Sequence, residues 1–214
     1  MALELKDVAI TLNEAPLIVR FSLVVAAGEI VTIMGPSGSG KSSLLAYIAG
    51  DIGLPLGGAG RVMLDGEDVS RLPPERRRIG RLFQDDLLFP HLTVSENLMF
   101  GVPRGVRAER QAMVQAGLSG INMEDFGNRP PHTLSGGERA RVSLMRTLLA
   151  KPRAVLLDEP FKKFDADLRL QMRGYVFAHL AERRVPGLLV THDFADAPPG
   201  GLVLAIRNGV LHDA

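Results

Sequence analysis

One stretch carries chemistry in its residue types and spacing: Gly35-Pro36-Ser37-Gly38-Ser39-Gly40-Lys41-Ser42. It reads G-x-x-x-x-G-K-S, the spacing of a phosphate-binding loop. Glycine at 35, 38 and 40 lets the backbone curl and approach an anion without a Cβ in the way. Turned N–H groups backed by a helix N-terminus make an anion nest. Lys41 adds a point charge for outer phosphates. The Ser42 hydroxyl suits Mg²⁺, which takes oxygen ligands, and Ser43 completes the phosphate-contacting set.

A second group supports the first. Ala154-Val155-Leu156-Leu157 is an apolar run ending in Asp158-Glu159. This is the Walker B pattern: Asp158 is placed to share Mg²⁺ with Ser42, and Glu159 to reach an attacking water. Gln84 follows the run Ile79-Gly80-Arg81-Leu82-Phe83, and His192 follows Leu188-Leu189-Val190-Thr191. In open α/β sheets, ligand-binding groups gather at the carboxyl ends of strands. Lys41, Gln84, Asp158, Glu159 and His192 are therefore predicted to share one sheet edge.

The elements that must position these residues follow from pattern. Glu29 to Met34 is β-branched and apolar, a buried strand leading into the loop. Ser43 to Ala49 has helical spacing, and Gly50 ends it. Upstream, 3–10 and 17–25 read as two strands joined by Asn13-Glu14-Ala15-Pro16. Gly53 to Gly60 reads as a loop, Arg61 to Leu64 as a short strand, and Asp65-Gly66 as a tight turn. Arg71 to Arg78 reads as a basic, solvated loop. Thr93 or Ser95 could cap a helix through Leu98, and 107–118 is helical, so about 85 to 135 is mostly helix. Leu134-Ser135-Gly136-Gly137-Glu138 opens a long helix, stopped at Lys151-Pro152. Leu168 to Arg183 is helical, and a hairpin around Asn208-Gly209 follows.

Bulk properties narrow the field. The 214 residues suit one domain or a domain with a subdomain, and 46% hydrophobic content supports a core. A net charge of +1 gives no field pointing to nucleic acid. With no cysteine, a disulfide framework or cysteine metal site is excluded, which fits a reducing compartment. The charged start Met1-Ala2-Leu3-Glu4-Leu5-Lys6-Asp7 lacks a signal-peptide core. Leu17 to Met34 is broken by Arg20, Gly28 and Glu29, so no segment is predicted to span a bilayer.

Leu134-Ser135-Gly136-Gly137-Glu138 resembles the LSGGQ signature of ABC ATPases, with Glu for the usual Gln. The family's motifs occur in order: Walker A at 35–42, Q-loop at Gln84, signature at 134–138, Walker B at 154–159, D-loop near Asp165 and switch histidine at His192. The resemblance covers nearly the whole chain. It implies an α/β fold: a P-loop NTPase (RecA-like) core with an N-terminal antiparallel β subdomain and an inserted α-helical subdomain, divided as 1–84 plus 141–214 and 85–140. It implies ATP and Mg²⁺ as ligands, with Mg²⁺ held by Ser42, Gln84 and Asp158. Glu159 is then general base, His192 the γ-phosphate contact and Gln84 the sensor.

The same resemblance implies a head-to-tail homodimer formed on ATP binding, in which Ser135, Gly136 and Gly137 of one subunit face the partner's P-loop. Phe83-Gln84, Phe89-Pro90-His91-Leu92-Thr93-Val94 and Asp158-Glu159-Pro160-Phe161 resemble the ATPases of binding-protein-dependent importers. That implies transmembrane permease subunits as partners, a periplasmic or surface solute-binding protein, and a cytoplasmic, peripheral position on the inner membrane. An exporter or lipid-extraction ATPase is the alternative, and a soluble repair or translation ATPase is disfavoured by the absence of heptads.

Two departures stand out. Residues 1–20 hold no Phe, Tyr or Trp, so the family's adenine-stacking aromatic is missing; its expected position falls near Thr11-Leu12-Asn13. The D-loop, usually begun by small residues, reads Lys162-Lys163-Phe164-Asp165. In a symmetric dimer those lysines are predicted to crowd, partly relieved by ATP phosphates or by a partner carboxylate such as Asp165.

Overall fold

The computed structural model describes residues 2–214. Leu3, Leu5, Val8 and Ile10 are all buried on strand β1 (Leu3–Leu12). Their spacing slips by one residue at Asp7, whose φ is 52°. A bulge there restores the inward face, as an extra residue does in an antiparallel pair. β2 (Ala15–Val25) pairs antiparallel with β1. The turn between them is only Asn13-Glu14, both with positive φ as a type I′ hairpin turn needs. It is shorter than the sequence suggested, because Ala15 and Pro16 already pair with Leu12 and Thr11.

β3 (Ile30–Met34) is buried almost throughout and delivers the chain to helix α1 (Lys41–Ala49). The predicted loop from Gly53 to Gly60 is corrected by β4 (Leu56–Leu64), which pairs with β1 along its length. Glycine hid this strand, for a packing reason. A Cβ on Gly58 would lie 2.2 Å from the Tyr47 ring, whose hydroxyl donates to the Gly60 carbonyl at 2.8 Å. β5 (Glu67–Asp68) closes the antiparallel sheet, ordered β2-β1-β4-β5.

The second sheet runs β10-β9-β3-β8-β7-β6. It contains β6 (Ile79–Leu82), β7 (Ala154–Asp158), β8 (Gly187–Thr191), β9 (Val203–Arg207) and β10 (Val210–Asp213). β3, β6, β7, β8 and β9 are parallel, and β10 turns back antiparallel. Every residue of β7 and β8 is buried, as strands covered on both faces require. Leu44, Leu45 and Ile48 of α1 fill the space between the two sheets.

The other face carries the helical part. α3 (Val94–Gly101) and α4 (Arg107–Gly120) pack on α5 (Gly136–Leu149) through Leu98, Val114, Leu118, Met145 and Leu148. α6 (Ala166–Glu182) adds Met172, Val176 and Leu180 to the same core. The fold is thus α/β with an antiparallel β subdomain and helical parts, as expected.

The basic stretch 71–78 is mostly exposed, as expected, with Arg77 the exception. Pro74–Arg77 is a short helix, α2, and Arg77 is 6% exposed. Its guanidinium donates to the carbonyls of Tyr47, Ile48, Ser70 and Leu72 at 2.6–3.0 Å. Two of those are last-turn carbonyls of α1, where helical N–H partners run out; the Tyr47 carbonyl also accepts from Gly50 N at 3.2 Å. Gly50 makes room: its φ is 88°, and a Cβ there would lie 2.4 Å from Arg77 Nε. Arg77→Met keeps the stem but strips donors from these carbonyls, each worth about 1–3 kcal/mol if left unpaired. With partial rescue by water, a loss of about 3 kcal/mol is expected, hence a melting temperature lower by about 6–12 °C. Thermal unfolding followed by circular dichroism checks it; an unchanged midpoint would mean that water replaces the guanidinium fully.

Candidate functional site

Gly40 is the N-cap of α1 with φ 94°, a left-handed conformation that costs a side-chain-bearing residue about 1–2 kcal/mol. It turns the first N–H groups of α1 toward the cleft. Lys41 is 8% exposed, and its Nζ donates to the carbonyls of Gly35 at 2.7 Å and Pro36 at 2.9 Å. Burial lowers its pKa, opposed by the nearby Glu159 and Asp158 carboxylates. The loop is thus folded around its own lysine.

Asp158 closes β7 and is 5% exposed. Burial raises its pKa, while a hydrogen bond from Ser42 and the charges of Arg81 and Lys41 pull it back. The two residues predicted to share Mg²⁺ therefore already touch. Arg81 of β6 pairs with Asp51 and stacks over Phe83 at 4.4 Å.

Glu159 is held by its backbone N–H donating to the Val190 carbonyl at 3.0 Å. Its φ is 50°, an unfavourable conformation for a residue with a Cβ. That geometry aims the carboxylate at His192, whose Nδ1 stands 2.8 Å from Glu159 Oε1. An ionised carboxylate only accepts, so the proton sits on Nδ1.

A cleft of about 690 Å³ is lined by Ser37, Gly38, Gly40, Lys41, Ser42, Ser43, Gln84, Asp158, Glu159 and His192. Gly35, Pro36 and Ser39 complete the same loop behind it. Ser135, Gly136 and Gly137 do not line this cleft. Ser135 caps α5 instead: its Oγ accepts from Glu138 N at 3.3 Å, and Glu138 Oε2 accepts from Ser135 N at 2.6 Å. This capping box explains why Glu serves in place of Gln at 138. The Ser135 N–H bond is also the main reason that the Glu138 pKa falls.

Three features escaped the sequence reading. The His192 segment is fixed by Asp196, which is 2% exposed, accepts from Thr191 Oγ1 at 2.7 Å and pairs with Arg169 at 2.7 Å. Asn97 is wholly buried and holds the segment after Gln84 through the backbone of Phe89, Leu92 and Thr93. Lys163 pairs at 2.9 Å with Asp86. Within its own chain Asp165 caps α6 by accepting from Leu168 N at 2.9 Å. No periodic pattern announces these contacts; a polar residue inside an apolar helical face, as at Asn97, is the one signal available.

A glycine loop with Lys and Ser on a helix N-terminus, beside an Asp-Glu strand end, defines a P-loop nucleoside-triphosphate hydrolase. The family profile described as ABC transporter matches residues 18–162, and the chain belongs to that family. It is an ATP-binding, ATP-hydrolysing ABC subunit. It is 40% identical over 200 residues to the uncharacterized ABC transporter ATP-binding protein YnjD of Escherichia coli K12, covering 93% of this chain and 92% of that one. Identity is 42% over 191 residues to the sulfate/thiosulfate import ATP-binding protein CysA of Mycobacterium bovis, covering 88% of this chain and 52% of that one. It is 39% over 211 residues to the spermidine/putrescine import ATP-binding protein PotA of Chromobacterium violaceum, covering 98% and 56%. The chain thus spans nearly all of the first relative and about half of the other two. Among solved structures, it matches the dimeric post-hydrolysis state of the ATP-binding cassette MJ0796 bound to ADP and Pi. The TM-score there is 0.84 at 29% identity, over 98% of this chain and 96% of that one.

Proposed function

We propose that this chain energises solute import by hydrolysing ATP between two copies of itself, docked on separate transmembrane permease subunits fed by a solute-binding protein. One observation carries the reading. The P-loop, Gln84, Asp158, Glu159 and His192 meet in one cleft, while the Ser135-Gly136-Gly137 helix start faces elsewhere. A second anion-binding helix N-terminus without a ligand in its own chain suits the phosphates of a partner's nucleotide. The import relatives support the direction of transport. Among the described residues no helix is long and apolar enough to cross a membrane.

In this reading the loop amides and Lys41 hold the β- and γ-phosphates. Mg²⁺ fits the Ser42–Asp158 pair, because a buried carboxylate touching a hydroxyl is an all-oxygen site that a hard cation would neutralise. When bound, Mg²⁺ would offset charge on the phosphate oxygens. Gln84 faces the same cleft and is assigned to Mg²⁺ and the attacking water. Glu159 accepts a proton from that water, and His192 orients the carboxylate and reaches the γ-phosphate.

Sedimentation of the Glu159→Gln protein tests the dimer: ATP with Mg²⁺ should convert monomer to dimer, and ADP should not. Affinity purification of the tagged chain from solubilised membranes tests the partners. Separate permease subunits with a solute-binding protein are expected. Recovery of a permease from an operon without any binding protein would favour export.

The base pocket has its own consequence. Leu12, Leu17, Pro55 and Leu56 line the cleft beside the loop, so aliphatic surface stands where an aromatic was missing. Burial on aliphatic carbon, at about 25 cal/mol per Å², does not distinguish adenine from guanine. ATP and GTP should therefore compete within about tenfold, a difference of 1.4 kcal/mol. Leu12→Tyr should tighten ATP by the ~1–3 kcal/mol of base stacking. Competition against a fluorescent nucleotide reads both; a hundredfold preference for ATP would mean that a polar group reads the base.

A further inference from the structure

We propose that Asp86 is a positioning residue for ATP hydrolysis, clasping the Gln84 loop to the D-loop through Lys163 and to the signature helix α5 through Arg139. The inference rests on the reading above, in which Gln84 and Glu159 act on one water and the signature serves a partner.

Asp86 Oδ1 accepts from Lys163 Nζ at 2.9 Å, and Asp86 Oδ2 lies 3.5 Å from Arg139 Nε. The carboxylate is 13% exposed, against 36% for Lys163 and 40% for Arg139. A mostly buried acid with two cations differs from an ordinary surface pair, because leaving it unpaired is costly. The backbone of the same loop is fixed as well. Arg146 of α5 donates to the carbonyls of Leu87 at 3.0 Å and Asp86 at 3.3 Å.

The clasp spans a gap. A cavity of about 320 Å³ lies between Phe83-Gln84-Asp85-Asp86 on one wall and Glu159, Pro160, Lys162 and Lys163 on the other. Among the described residues, Asp86–Lys163 is the only ion pair joining these walls. Both signature glycine and D-loop are also in reach of each other: the Lys163 carbonyl is 3.4 Å from where a Gly137 Cβ would sit. Arg139 in turn donates to the carbonyl of Leu134, the first residue of the signature, at 2.7 Å. One carboxylate thus ties the residue that senses the water, the loop that follows the base, and the segment that a partner's nucleotide would meet. Lys163 is neutralised within its own chain, leaving Lys162 as the D-loop lysine without an ion-pair partner among the described residues.

The test is a double-mutant cycle on full-length protein in steady-state ATP hydrolysis. Asp86→Asn and Lys163→Gln should each lower kcat by about tenfold, within the coupling range for contacting residues. The KM for ATP should stay within about twofold, because the P-loop is untouched. The double variant should lose no more than either single one, and Asp86→Glu should keep most of the rate. Lys163→Gln alters an exposed end, so it reports even if Asp86→Asn folds poorly. Additive losses, an unchanged kcat in Lys163→Gln, or a rise in KM equal to the fall in rate would overturn the proposal. Failure of the wild-type chain to hydrolyse ATP would instead sink the underlying reading.

Discussion

Glu159→Gln should lower ATP turnover by about 10²–10⁴-fold, the range for a lost general base, while ATP affinity changes little. The amide keeps the shape and volume of the carboxylate, so the backbone bond to Val190 and the left-handed turn persist. What disappears is the ability to take a proton from water. The 2.8 Å contact with His192 also changes, because an amide oxygen is a weaker acceptor than a carboxylate. His192→Ala should accordingly cost less than Glu159→Gln. Single-turnover phosphate release, with nucleotide affinity measured separately, distinguishes chemistry from binding. Turnover within a few-fold of wild type would remove Glu159 from the role of base.

Lys41→Ala should weaken ATP binding by about 10²–10⁴-fold, since two charge-assisted hydrogen bonds are worth about 1.5–3 kcal/mol each. The effect has two sources. The phosphates lose their nearest fixed cation, and the carbonyls of Gly35 and Pro36 lose the donor that shapes the empty loop. Lys41→Arg should not rescue, because a planar guanidinium cannot replace a compact ammonium enclosed by two carbonyls at 2.7 and 2.9 Å. Titration with a fluorescent ATP analogue checks both. Affinity within threefold of wild type in Lys41→Ala would show that loop amides alone hold the phosphates.

The sequence signalled the parallel sheet and its functional edge because each buried strand is a short apolar run ended by a polar residue. Ile30–Met34, Ala154–Asp158 and Gly187–Thr191 are near-uniformly buried, and the groups that follow them converge. β4 was hidden, because Gly57, Gly58 and Gly60 read as a loop until the Tyr47 ring is seen to need the space at Gly58 and the β1 backbone the space at Gly60. Arg77 was misread for a related reason. A charge run looks solvated until its acceptors, two of them 29 and 30 residues earlier, come into view. The Asp86–Lys163 pair, 77 residues apart, leaves no local pattern at all. Contacts of this kind are set by tertiary packing, whereas motif spacing is set by the local backbone.

The strand order bears on how the chain is made. β3 leads into the P-loop, yet its neighbours in the sheet are β8 and β9. They leave the ribosome roughly 160 and 170 residues after β3, a delay of roughly 8–35 s at typical elongation rates. For that interval Ile30–Met34 has no partner on either side, and the phosphate loop hangs from an unpaired apolar strand. The strand that carries the P-loop is thus seated only after residues 187–207 have emerged, and the nucleotide cleft, which also needs His192, is completed at the same late point.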